Sequence, residues 1–172
     1  MNKRQWGLIL IAGALAAVLG MGLSSYKYRT EKASDTAIEE LLTRELRSPD
    51  GKMHQTSDWR GKILIINYWA SWCPPCVEEM PELARFAHIQ GEHGVQVLGL
   101  ALDTPEGVAD FLQRVPVDYP IVLDTPGPRD ASVQLGNAQG LLPYSVLFDA
   151  QGRLVKAKLG PFAHGEIDSW VK

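Results

Sequence analysis

The chain has 172 residues, is 45% apolar, and sets 17 Lys and Arg against 20 Asp and Glu for a formal net charge of −3. That length holds one ordinary domain plus an appendage, and without a basic block there is nothing for nucleic acid to follow. The two cysteines, Cys73 and Cys76, leave no stray thiol to cross-link, a usage that suits an exported protein.

Lys3 and Arg4 precede residues 6–23, eighteen residues without a charge and long enough to span a bilayer. Positive residues before such a run favour a cytoplasmic N-terminus, although Lys27 and Arg29 beyond it count the other way. We read residues 1–23 as an uncleaved single-pass anchor in a bacterial cytoplasmic membrane, with the rest of the chain in the periplasm or at the cell exterior. A cleaved signal peptide is the alternative. Against it, the run exceeds the usual h-region and no clear small-x-small site follows before Tyr26. Residues 24–36, polar and mixed in charge, read as a linker. Residues 37–172 remain, about 140 in number and enough for one core without staples.

Residues 37–47 are ambiguous: Ile38, Leu41 and Leu42 have helical spacing, yet residues 42–46 also read as a strand. Pro49, Asp50 and Gly51 signal a turn, with a short pairing strand around residues 52–54. Residues 56–62 read as a capped turn, and residues 63–68 as a buried strand. A helix is predicted over residues 74–90. Prolines open its first turn, Pro81 is expected to kink it, and Gly91 stops it. Residues 95–102 are mostly apolar and read as a central parallel strand. A second helix then runs from about Asp103 to Arg114, with Val108, Phe111 and Leu112 facing inward. A short strand (121–123) and a short helix (129–135) follow. Residues 144–148 and 153–159 flank Asp149-Ala150-Gln151-Gly152, a hairpin signal, and a last helix spans residues 163–171. This order of elements is an α/β sandwich with mixed strand directions.

The chemistry falls at the junction of the first long strand and the first long helix, Trp69-Ala70-Ser71-Trp72-Cys73-Pro74-Pro75-Cys76. Two thiols two residues apart in that setting are a dithiol redox site. Cys73 would stand at a helix N-terminus, where unpaired N–H groups and the macrodipole favour the thiolate, the attacking species. Cys76, one turn later, can resolve a mixed disulfide. Two other readings compete. A structural bridge across so short a loop gains little from chain entropy, and a zinc site needs further ligands where no second cysteine pair exists.

Residues 63–81 resemble the active-site segment of the thioredoxin superfamily. Their form from Trp69 through Cys76 to Glu79-Met80-Pro81 is similar to the TlpA/ResA branch of membrane-tethered extracytoplasmic thiol–disulfide oxidoreductases. The resemblance covers about residues 50–172. It implies a thioredoxin-like fold with a strand and helix inserted around residues 103–135. It also implies that Pro143 is a cis proline packed against the dithiol and that the backbone of Leu142 pairs with an extended substrate segment. Trp72 would line the exposed face. Asn67 departs from thioredoxin itself, which has a buried, proton-transferring aspartate six residues before the first cysteine. Asp103, or else Glu106, is then the candidate for proton transfer, and a helix N-cap is the alternative role for Asp103. Glu79 reads as a solvated helix charge.

By this resemblance the chain is an enzyme with no cofactor beyond the Cys73–Cys76 disulfide, and it is read as a monomer. Its partners would be protein disulfides and dithiols, with electrons from a membrane thiol donor of the DsbD type and apocytochrome c among the substrates. Its direction depends on its reduction potential. The alternative is a copper(I) metallochaperone on a thioredoxin fold, since soft thiolates select Cu(I). That pattern, however, places three residues between its cysteines, and His54, His88, His93 and His164 are scattered.

Overall fold

The computed structural model describes residues 40–172 apart from 42 and 129. The anchor and linker assigned to residues 1–36 lie outside the described residues. Among the described residues no helix is long and apolar enough to cross a membrane.

Seven strands form one sheet in the order β2-β1-β5-β4-β3-β6-β7. In chain order they are β1 (Glu45–Arg47), β2 (Met53–Gln55), β3 (Leu64–Trp69), β4 (Gln96–Leu102), β5 (Ile121–Asp124), β6 (Tyr144–Phe148) and β7 (Leu154–Leu159). β3 runs parallel to β4, and β4 to β5, while β6 is antiparallel to β3 and β7 to β6. β3 and β6 are buried at every residue. A strand covered on both faces reads as a continuous apolar run rather than an alternation. Residues 45–47 settle as strand, with Leu46 buried and Arg47 paired with Leu123 on β5, while residues 40, 41 and 43 are helical.

Helices cover both faces of the sheet. α1 (Pro74–Gln90) sends Met80, Leu83 and Phe86 onto the face that bears Ile65 and Trp69. α2 (Pro105–Arg114) adds Val108 and Phe111 to that face, and α4 (Glu166–Trp170) adds Ile167. On the other face α3 (Ala131–Gln134) joins Leu41, Leu46 and Trp59 over Leu64, Ile66 and Tyr68. Pro74 and Pro75 open α1, where their missing N–H groups have no intrahelical partner to lose. Pro81 lies inside the helix without ending it, and Gly91 closes it at a φ of 59°.

The last helix is shorter than its sequence pattern. Glu79 and Glu82 on α1 take the N–H groups of Phe162 and Gly165, which holds residues 160–165 as a loop.

Gly99 on β4 stands between Asn67 and Ile121 in register. A Cβ there would lie 2.4 Å from Ile121 Cδ1, 3.1 Å from Tyr119 Cε2 and 3.3 Å from Trp69 Nε1. Gly99→Val is therefore expected to destabilise the domain by about 1–3 kcal/mol through overpacking. A urea midpoint equal to that of the parent would show that Ile121 and Tyr119 give way freely.

Candidate active site

β3 runs through the middle of the sheet, and beyond its C-terminal end a tight turn reverses the chain into α1. The turn closes with Cys73 N–H donating to Ala70 O at 3.1 Å. Cys73 is the N-cap of α1, in extended conformation, and its carbonyl accepts from Cys76 N–H at 3.1 Å and Val77 N–H at 3.2 Å. Cys73 and Cys76 form a disulfide with their Cα atoms 5.3 Å apart. Cys73 keeps 4% of its surface exposed and Cys76 keeps none, so Cys73 is the outer sulfur. Trp72 beside it is 67% exposed.

The Leu142–Pro143 bond is cis, as the resemblance implied. Pro143 is buried one residue before Tyr144, which pairs with Tyr68 on β3, so it sits level with the end of β3 that leads to the dithiol. Pro143 O accepts from Gly160 N–H at 2.9 Å. Half-buried Leu142 packs against the cluster that contains both cysteines.

Two carboxylates are placed apart from a helix cap, the alternative role for Asp103, and from a solvated helix charge, the reading of Glu79. Thr104, not Asp103, caps α2, its side chain accepting from Gly107 N–H. Asp103 instead reaches across to the dithiol turn. Its Oδ2 accepts from Ser71 N–H at 2.9 Å and Ser71 Oγ–H at 2.6 Å.

Glu79 is not a solvated helix charge but a buried group, 1% exposed. Its Oε1 accepts from Asn67 Nδ2 at 2.8 Å and its Oε2 from Phe162 N–H at 2.8 Å. Asn67 Nδ2 also donates to Ser145 Oγ at 3.0 Å, while Asn67 Oδ1 is buried without a partner. Burial outweighs the two hydrogen bonds and pushes the Glu79 carboxyl up to about 7. A sequence signal for this existed: Glu79 follows Cys76 by three positions and precedes Leu83 by four, which puts it on the inward face of the helix. Asn67, a polar residue in an apolar strand, is the group it meets.

His164 contacts Glu82, its Nδ1 3.0 Å from the carboxylate, and Glu82 is also held by Arg85. Among the described residues no group of three or more His, Cys, Asp or Glu is gathered as a metal site.

A dithiol capping the helix after a central parallel strand, with a cis proline heading the neighbouring antiparallel strand, is the working end of a thioredoxin-fold thiol–disulfide oxidoreductase. The Redoxin family model matches residues 32–170, and the chain belongs to that family, as a ResA-like member of the thioredoxin superfamily. Thiol-disulfide oxidoreductase ResA of Geobacillus kaustophilus is 30% identical over 98% of this chain and 95% of its own length. Its counterpart in Geobacillus thermodenitrificans is 29% identical over 96% and 94%. Among solved structures, a thioredoxin-related protein from Neisseria meningitidis serogroup B superposes with a TM-score of 0.66 at 30% identity, over 74% of this chain and 96% of that one.

Proposed function

We propose that this thiol–disulfide oxidoreductase is a membrane-anchored, extracytoplasmic reductase of protein disulfides in which Cys73 is the nucleophile and Cys76 the resolving thiol. The observation that carries the reading is the placement of the pair: the outer sulfur caps a long helix and the inner one is fully buried behind it. The Cys73 thiolate attacks one sulfur of a substrate disulfide. A mixed disulfide forms and one substrate thiolate leaves. Cys76 then gives up its proton and attacks Cys73 Sγ, and the second substrate thiolate leaves. Two electrons have passed to the substrate and the chain holds the Cys73–Cys76 disulfide.

Glu79, one helical turn beyond Cys76 and titrating at about 7, is the carboxyl suited to take the Cys76 proton. Trp72, Leu142 and Pro143 form the surface on which an extended substrate segment lies beside the outer sulfur. A dithiol donor in the membrane, of the DsbD type, would restore the reduced state, and apocytochrome c is a substrate that fits this role. Residues 1–23 would hold the domain in the cytoplasmic membrane near such a donor, with residues 24–36 as the tether.

The deciding experiment equilibrates the protein with glutathione or dithiothreitol and reads the reduction potential. A value near about −270 mV supports a reductase, and one near about −120 mV marks an oxidant and overturns the proposed direction. Failure of the pair to interconvert between dithiol and disulfide would overturn the redox reading itself.

A further inference from the structure

We propose that Asp103 is a positioning residue for Cys73, a clasp whose carboxylate fixes the turn that seats the outer cysteine at the start of α1. The inference rests on the reading of Cys73 as the nucleophile. The turn from Ala70 to Cys73 has one internal hydrogen bond, Cys73 N–H to Ala70 O. Ser71 is its second residue. Both Ser71 donors, the backbone N–H and the hydroxyl, go to the same oxygen of Asp103, thirty-two residues away in sequence. The other oxygen accepts from Thr104 N–H at 2.7 Å, so the carboxylate is itself fixed to the start of α2. The approach is close because residue 107 is glycine. A Cβ there would lie 3.0 Å from Thr104 Oγ1 and 3.4 Å from both Asp103 Oδ1 and Ser71 Oγ.

In the oxidised state the disulfide already ties Cys73 to Cys76 in α1. Reduction removes that tie and leaves the bonds of the Cys73 carbonyl to α1, the turn's own hydrogen bond and the two bonds to Asp103. The clasp therefore acts on the reduced protein. It keeps the Cys73 sulfur at the positive end of α1, which favours its thiolate. A proton carrier at the same position would act through its titration, and the two roles separate when the carboxylate is made an amide. Asparagine keeps an oxygen able to accept both Ser71 bonds, but it gives up the proton site and turns its amide nitrogen toward Thr104 N–H, losing that bond.

The test follows iodoacetamide alkylation of the reduced full-length chain from pH 4 to 9, with the labelled cysteine identified by mass spectrometry. In Asp103→Ala the midpoint of the pH profile is expected to move about one pH unit toward the free-thiol value of about 8.5, with alkylation at pH 7 slowed about fivefold. Ser71→Ala, which keeps the backbone N–H bond, is expected to move part of the way, and Asp103→Asn, which keeps the Ser71 bonds but loses the one from Thr104, to move less than the alanine variant. An unmoved midpoint in Asp103→Ala overturns the clasp, as does Asp103→Asn displaced as far as the alanine variant. Should Asp103→Ala not fold, Ser71→Ala decides alone: a displaced midpoint supports the clasp and an unmoved one overturns it. Labelling of Cys76 ahead of Cys73 in the parent protein would instead strike down the nucleophile assignment.

Discussion

Cys73→Ser is expected to lower disulfide reduction by at least about a thousandfold, to background. Cys76→Ser is expected to stall the reaction at a stable mixed disulfide through Cys73. The asymmetry follows from burial. Both sulfurs lie at the start of α1, but only the outer one has any surface through which a substrate sulfur can reach it. Serine at position 73 removes the thiolate, and the hydroxyl that replaces it stays protonated at neutral pH. Serine at position 76 leaves the first attack intact and removes only the group that breaks the mixed disulfide. The measurement is mass spectrometry of each variant, reduced and then exposed to a peptide disulfide. An adduct of peptide mass on Cys76→Ser and none on Cys73→Ser is the expected pattern. The reverse pattern would exchange the two roles.

The second large effect concerns Glu79 and pH. Its carboxyl is raised from 4.5 to about 7 in the folded, oxidised protein, with burial the leading cause. Between those values the folded chain keeps a proton that the unfolded chain has released. The folded state then binds more protons, and stability must fall as pH rises through the window. The size is about 3 kcal/mol from one end of the window to the other. Glu79→Gln is expected to remove that slope. The difference in urea midpoint between variant and parent should be small near pH 5 and should grow in favour of the variant toward pH 8. The amide is compatible with the site because the unpartnered Asn67 Oδ1 offers it an acceptor once the Asn67 amide turns over. Activity is expected to move the other way. Without the carboxylate one helical turn from Cys76, resolution of the mixed disulfide should slow about a hundredfold, visible as an accumulating adduct in single-turnover reactions. Parallel pH profiles for variant and parent would show that Glu79 carries no proton in this range.

The two carboxylates show where reading a chain residue by residue stops short. Asp103 precedes a helix in sequence, which suits a cap as well as the proton-transfer role that the resemblance implies; Thr104 takes the cap, and Asp103 turns toward Ser71. Glu79 stands between Glu78 and Met80 on a helix with both buried and exposed faces. Its burial is decided by β3, which supplies Asn67, and by the loop after β7, which supplies Phe162 N–H from eighty-three residues away. Nothing local to Glu79 encodes either partner. The same loop shortened the last helix, again through acceptors on α1.

The sequence by itself determined the elements whose signals are local. The apolar run of β3, the prolines that start α1, the glycine that stops it, the turn between β6 and β7 and the spacing of Cys73 and Cys76 all act within a few residues. Backbone sterics and helix-end chemistry suffice to place them. Tertiary structure decided which sulfur is outer, which groups meet the inward-facing Glu79 carboxyl and which carboxyl holds the dithiol turn. Those properties depend on groups from separate strands and loops meeting in a water-poor interior. There burial raises the cost of the Glu79 charge, and a hydrogen bond spanning thirty-two residues becomes part of the geometry of Cys73.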